Sequence, residues 1–535
     1  MRKTYVCGLD FGTLSCRAVI VDTSDGSVAG EAICEYPHGV ITKALPSGTS
    51  LTDDFALQDP EDYLISMEGA VKKALAASGI PKEEVKGIGL DFTSCTILPV
   101  DEAYEPLCKD PRFANDPHAW VKLWKHHGAA REAADLTKAL YVNNDICDYP
   151  GTEASPEHGF PKILETMRRS PAVFDAAYRF TEAGDWVASF LTGKECHGAP
   201  FSGYKFLWQE GKGYPDRKLL DSAEKGLGDV PGSKLSEDIL PVAKAAGSLC
   251  QKAAAFLGLA EDTVVASATI DAHAAVPGAG AVFVGDMAVT MGTSACHMLN
   301  AAEYRDVPGI FGCMKDGAVP ELYTYEAGQS AVGDIFGWFA ENAVPSAYEK
   351  EAASCGISIH ALLTKKAAVL CPGESGLIAV DWLNGCRTPL NDASLKGAVF
   401  GLALSTKPEE QYRAWLESAA FGTRRIIENY EENGVPVKRV YLCGGIAKKN
   451  ALFVKILADV LRKEIRVTKE AQCTALGSAI YAAVAARIHA SVKEAALFMS
   501  SPVEKTVLPD PEAGKAYDDL YMKYLQASDF LRKFN

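Results

Sequence analysis

The chain has 535 residues, too many for one ordinary hydrophobic core, so two large domains are expected. Apolar residues make up 48% and charged residues 23%, with 7 Trp and 20 Tyr, which is the composition of a folded globular protein and leaves no case for disorder. A formal charge of -15 argues against general nucleic-acid binding, which relies on clustered Lys and Arg, and basic pairs such as Lys448-Lys449 stand isolated.

Fifteen Cys are spread from Cys7 to Cys473 with no C-x-x-C pair, which removes the usual zinc-ribbon and thioredoxin readings. Several, including Cys7, Cys296 and Cys443, interrupt apolar runs and are expected as buried, reduced small hydrophobes, in keeping with a cytoplasmic location. The opening Met1-Arg-Lys-Thr-Tyr-Val-Cys-Gly-Leu-Asp10 meets an acid after a few apolar residues, so it is expected as a strand and not a signal peptide. No run of about 18 uncharged apolar residues occurs, so no membrane span is expected.

Tyr5 to Thr13, followed by Arg17 to Asp22 and the Asp25-Gly26 turn, predicts a β-hairpin leading to a third strand. A helical pattern from Pro60 to Ala77 precedes the strand-like run Val85 to Asp91, the rhythm of an α/β architecture. Pro277-Gly278-Ala279-Gly280 is a breaker, and the domain boundary is expected near Gly280 to Gly285, with domains over 1–283 and 284–500 and a helical extension over 501–535. Beyond it, Asp286 to Ser294 leads into Cys296 to Leu299 and echoes the first hairpin: Gly-Thr at the end of an apolar strand, Ser soon after, then a second strand. A duplicated fold is the consequence. A helix over about 409–432, the strand Arg439 to Cys443, the Gly444-Gly445 turn and a helix over about 450–462 continue the rhythm. Tyr517, Tyr521 and Tyr524 stand near helical spacing in a closing helix.

Neither a G-x-x-x-x-G-K-[ST] phosphate loop nor a G-x-G-x-x-G dinucleotide fingerprint occurs. A nucleotide would have to be held by the three glycine turns that follow strands, Gly12-Thr13, Gly292-Thr293 and Gly444-Gly445, where backbone approaches an anion without a Cβ clash and turn N–H groups and Thr hydroxyls donate to it. Asp10 interrupts an apolar strand, where it either caps its own turn or addresses Mg²⁺, through water because Mg²⁺ dehydrates reluctantly. Asp271, at the end of Ala268-Thr-Ile270 and before Ala272-His273-Ala274, is either a helix N-cap or a functional carboxylate, and His273 is expected as a packed residue.

Taken together, Asp10-Phe-Gly-Thr-Leu-Ser15 with Arg17-Ala18, Ile270-Asp-Ala-His273, Met291-Gly-Thr-Ser294 and Leu442-Cys-Gly-Gly-Ile-Ala-Lys-Lys-Asn450 resemble the FGGY family of carbohydrate kinases over about the first 490 residues. The resemblance implies an α/β fold of two actin-like ATPase (ribonuclease H-like) domains with the active site in the interdomain cleft. It implies ATP and Mg²⁺, with Asp271 as catalytic base, Asp10 near the metal, and Gly12, Thr13, Ser15, Gly292, Thr293, Gly444, Gly445 and Asn450 around the nucleotide. Asp91-Phe-Thr-Ser-Cys-Thr96, His118 to His127, Ser202-Gly-Tyr-Lys205 and Glu326 to Asp334 are similar to members acting on L-ribulose, which puts Ser94, Trp124, Lys205, Asp271 and Glu326 at the sugar. The expected reaction is phosphorylation of O5 of that ketopentose. Alternatives are D-ribulose, xylulose or a related polyol as substrate, or an actin-like ATPase with no sugar activity. A homodimer is the family-level expectation for partners, with no nucleic acid and no membrane. Two departures stand out: Cys16 where the first turn more often has Gly, and Ser94 where Ala is common. Bland roles remain open at this level, Trp124 as core and Lys205 as a snorkelling surface lysine.

Overall fold

The computed structural model of the protein describes residues 3–142, 153–470 and 472–534. The chain forms two compact units, the first from Met1–Val282, Cys313–Thr324 and Cys473–Ser501, the second from Phe283–Gly312, Tyr325–Gln472 and Pro502–Asn535. The chain leaves the first unit after Val282 but returns to it twice, and Cys473–Ser501, which the sequence reading divided between the domain over 284–500 and the extension over 501–535, clusters with the first. The closing segment, expected as a separate extension, belongs to the second unit.

In the first unit the main sheet runs Val28–Glu35, Ser15–Asp22, Tyr5–Phe11, Val85–Phe92, Val264–Ala266, Ala245–Ser248. Tyr5–Phe11 is antiparallel to its hairpin partner and parallel to Val85–Phe92, in a register that sets Asp10 opposite Asp91 and Phe11 opposite Phe92. The short strand Thr269–Ile270 is also parallel to Val85–Phe92, with Ile270 opposite Phe92. Strands Tyr5–Phe11 and Val85–Phe92 are almost entirely buried, because helices cover both faces, as parallel pairing requires. A second, four-stranded sheet in this unit joins Leu57–Gln58, Val121–Lys122, Ile97–Val100 and Arg179–Glu182 over a separate hydrophobic core.

The second unit repeats the pattern. Its hairpin Asp286–Met291 and Ala295–Ala301 lies beside Arg439–Cys443, which is parallel to Asp286–Met291, then Ile465–Thr468 and the antiparallel edge Val503–Val507. The closing helix Pro511–Phe534 packs here, with Tyr517 on Arg413 and Glu417, Tyr521 on Glu428 and Tyr524 on Asp381.

Helix Cys473–Ala485 reaches the first sheet because that sheet lacks side chains under it. A Cβ on Gly8 would lie 1.9 Å from the Ala475 carbonyl oxygen, and one on Gly89 2.1 Å from that of Ser478. The same helix crosses helix Asp271–Gly278 at a pair of glycines. A Cβ on Gly477 would lie 1.7 Å from Ala274 O and one on Gly278 1.9 Å from Cys473 O. These are backbone contacts that no rotamer change relieves, so Gly477→Ala is expected to cost about 3 kcal/mol through overpacking. Thermal unfolding of that variant checks it: a midpoint several degrees below the parent is expected, and an unchanged midpoint contradicts the contact.

Candidate active site

Three carboxylates gather where adjacent parallel strands of the first unit end. Asp10 and Asp91 are cross-strand neighbours and so project to the same face, and Asp271 follows directly on Ile270, opposite Phe92. Asp10 does not cap its own turn. Its Oδ2 accepts from Arg17 Nη1 at 2.9 Å and from Thr474 Oγ1 at 2.8 Å. Asp91 is fully buried, and its Oδ2 accepts from Ser478 Oγ at 2.7 Å. Burial, and next the charge of Asp10, push the Asp91 carboxyl well above the usual carboxylate range. Burial and the neighbouring carboxyl both disfavour a second charge here. Thr474 and Ser478, one turn apart on helix Cys473–Ala485, therefore fix both groups from above.

Asp271 is the first residue of helix Asp271–Gly278 rather than its N-cap, a place taken by Ile270, and its Oδ1 accepts from Ala272 N at 2.7 Å. It remains partly exposed while the rest of the helix is buried. His273 is buried and packs its ring 4.3 Å from that of Tyr204.

The first glycine turn meets one of the residues expected at the sugar, Trp124. Gly12 N donates to Ser15 O at 3.0 Å across the hairpin end, and Ser15 is buried. Thr13 Oγ1 accepts from Trp124 Nε1 at 3.2 Å, and Thr13 O accepts from Gln58 Nε2 at 2.8 Å. Trp124 is thus partly exposed and polar-bonded, not simple core. Lys205 is 1% exposed on helix Ala199–Phe206, with Nζ 5.7 Å from the Tyr204 ring centroid, which overturns a snorkelling surface role. Ser94 is partly exposed in the turn after Val85–Phe92. Cys16 is fully buried in the sheet.

In the second unit, Gly292 and Thr293 are exposed at the hairpin end, and the Thr293 carbonyl accepts from Val332 N at 2.8 Å at the start of helix Gly333–Asn342. Gly444 has φ 99° and a Cβ there would lie 2.3 Å from Met291 O, so only glycine lets this turn lie against the end of strand Asp286–Met291. Gly445 is exposed beside it. These turns come together; Asn450 is engaged elsewhere, as N-cap of helix Ala451–Leu461, its Oδ1 accepting from Phe453 N at 3.0 Å. Glu326 is 8% exposed on strand Tyr323–Gln329 of this unit.

Asp91, Thr474 and Ser478 complete the carboxylate cluster and were left without a role by sequence reasoning. Asp91 carried the same signal as Asp10, an acid ending an apolar strand, whereas Thr474 and Ser478 look like ordinary helix residues until the fold delivers them.

Residues 5–278 match the N-terminal domain of the FGGY family of carbohydrate kinases, and residues 287–486 match its C-terminal domain. The chain belongs to the FGGY family of carbohydrate kinases. A ribulokinase of Geobacillus thermodenitrificans is 44% identical over 537 residues, covering 99% of this chain and 95% of that protein. A ribulokinase of Halalkalibacterium halodurans is 41% identical, covering 99% and 95%. Among solved structures, a xylulose kinase from Rhodospirillum rubrum (TM-score 0.81, 21% identity, 99% of each chain) and a gluconate kinase from Lactobacillus acidophilus (TM-score 0.83, 18% identity, 100% of each chain) share the fold. That fold is the α/β pair of actin-like, ribonuclease H-like domains. As an FGGY kinase the protein is a phosphotransferase that uses ATP with Mg²⁺. No helix among the described residues is long and apolar enough to cross a membrane.

The segment carrying Trp124 is held by a buried cluster in which Lys122 Nζ donates to Glu165 Oε2 at 2.7 Å and His126 Nε2 lies 2.9 Å from the same oxygen. Since His126 Nδ1 accepts from Ala56 N, the ring is the neutral tautomer with Nε2–H facing Glu165. Burial lowers His126 to about 4, below its ordinary value near 6.5. The unfolded chain therefore binds the proton first, and His126 contributes stability above pH about 6.5 that is lost as pH falls toward 4. Between pH 6.5 and 4 the parent is expected to lose more of its thermal midpoint than His126→Gln, and parallel curves for the two proteins contradict this.

Proposed function

We propose that the chain phosphorylates O5 of L-ribulose with ATP, giving L-ribulose 5-phosphate and ADP. The observation that carries this reading is the set of curated relatives named ribulokinase, 40–44% identical over nearly the whole chain. The three-carboxylate cluster at the strand ends supports it with chemistry suited to moving a proton beside a phosphate.

Asp271 is the base. It is the partly exposed member of the cluster, at the first turn of a helix whose other residues are buried. A carboxylate there accepts the O5 proton as the hydroxyl attacks the γ-phosphate. Phosphoryl transfer leaves the protein mainly to position groups and stabilise charge, because the transition state is loose and its oxygens lie in line. Ser94, Trp124, Lys205 and Glu326 bind the ketose, whose hydroxyls each donate and accept. Gly12, Thr13, Ser15, Gly292, Thr293, Gly444, Gly445 and Asn450 form the nucleotide set, Asn450 shaping the helix start behind the Gly444-Gly445 turn.

Asp10 fits a magnesium ion that arrives with the nucleotide. Among the described residues no three His, Cys, Asp or Glu side chains group to hold a metal by themselves. Mg²⁺ with a nucleotide needs only one or two carboxylates beside phosphate oxygens and water, and Asp10, fixed by Arg17 and Thr474, suits that role. Bound there, the ion neutralises charge developing on the phosphoryl oxygens.

General-base help is worth about 10²- to 10⁴-fold, so Asp271→Asn is expected to lose at least about a hundredfold in kcat. ATP should still bind to that variant with near-parental affinity, as measured by calorimetry. Near-parental turnover rejects Asp271 as the base.

A further inference from the structure

The two loops that carry Ser94 and Trp124 come from different strands, yet one side chain reaches both. Lys162, on helix Gly159–Arg169, is fully buried, and its Nζ donates to Cys95 O at 2.5 Å and to Leu123 O at 2.8 Å. Cys95 is the residue after Ser94, and Leu123 the residue before Trp124. Neither carbonyl belongs to a sheet ladder; Leu123 O also accepts from His126 N at 2.9 Å within its own loop, so Lys162 is a second donor there and ties that loop to the Cys95 turn.

The Ser94-Cys95 turn is gripped from its other side as well. Cys95 has φ 58°, a left-handed conformation that a non-glycine residue keeps only where its surroundings impose it. Thr96 N donates to Glu182 Oε2 at 3.0 Å, and Glu182, itself buried at the end of strand Arg179–Glu182, faces the charges of Lys162 and Lys205. Burial lowers Lys162 and raises Glu182, each partly offset by the other's charge. A buried ammonium and carboxylate are an expensive way to fill space; an apolar pair of similar volume would pack as well. Their fixed bonding directions, by contrast, define where two backbone turns stop.

We infer that Lys162 is a positioning residue for sugar binding: its buried ammonium ties the Ser94 turn to the Trp124 loop, with Glu182 clamping the same turn, so that both side chains meet the ketopentose in one geometry. This rests on the reading of Ser94 and Trp124 as sugar-pocket residues. Lys162 is fully buried and bonds to backbone carbonyls, so it acts through the two turns. Its loss therefore acts first on sugar affinity, and reaches the nucleotide turn only through the Trp124 Nε1 bond to Thr13 Oγ1.

The experiment compares Michaelis constants for L-ribulose and ATP in Lys162→Met, Glu182→Gln and Trp124→Ala. Small misplacements of binding groups have large kinetic effects, so Lys162→Met is expected to raise the sugar KM about tenfold or more while the ATP KM stays within about twofold. Glu182→Gln keeps an acceptor for Thr96 N and is expected to shift the sugar KM the same way, by about threefold. It carries the test if Lys162→Met fails to give a cooperative thermal transition. A merely structural role would move both KM values, or only the thermal midpoint, and either result overturns the inference. Trp124→Ala separates the two levels: a parental sugar KM there sinks the pocket reading, whereas a raised one with parental values in the folded Lys162 and Glu182 variants overturns the positioning role alone.

Discussion

The first unit depends on backbone meeting backbone where helix Cys473–Ala485 lies on the sheet and crosses helix Asp271–Gly278. Gly8, Gly89, Gly278 and Gly477 each leave less room than a methyl group needs. That approach brings the Thr474 and Ser478 hydroxyls down onto Asp10 and Asp91, and it fixes the helix that begins with Asp271. Packing and chemistry therefore share one contact, since hydroxyl oxygens a methyl's width further away would no longer bond the two carboxyls.

Burial then sets the carboxyls apart. Asp91, sealed in the sheet beside another acid, is held well above the usual carboxylate range, while Asp10 accepts from a guanidinium and a hydroxyl. Asp271 stands at the partly open end of the row. Three like residues within one cluster thus stand in three environments, one sealed in the sheet, one paired with a guanidinium and one partly exposed.

Much of this was legible locally. The two hairpins ending in Gly-Thr, the Asp10 and Asp271 positions at strand ends and the closing helix all follow from short-range patterning, because strand alternation and glycine turns are properties of a few consecutive residues. What escaped was non-local. Thr474 meets Asp10 across 464 positions and Ser478 meets Asp91 across 387, separations no window can bridge. The return of 473–501 to the first unit escaped for the same reason. Lys205 resembled a surface lysine beside aromatics until helix Ala199–Phe206 was found buried, and the N-cap role of Asn450 shows only once helix Ala451–Leu461 is in place.

The central claim is that this cluster serves transfer of phosphate to O5 of a ketopentose. Incubating the purified protein with Mg-ATP and L-ribulose, and following ADP by coupled assay and the product by phosphorus and carbon NMR, addresses it directly. The account predicts one ADP per sugar consumed, with phosphate on C5. ATP turnover that is indifferent to added sugar, across L-ribulose, D-ribulose and xylulose alike, would contradict it.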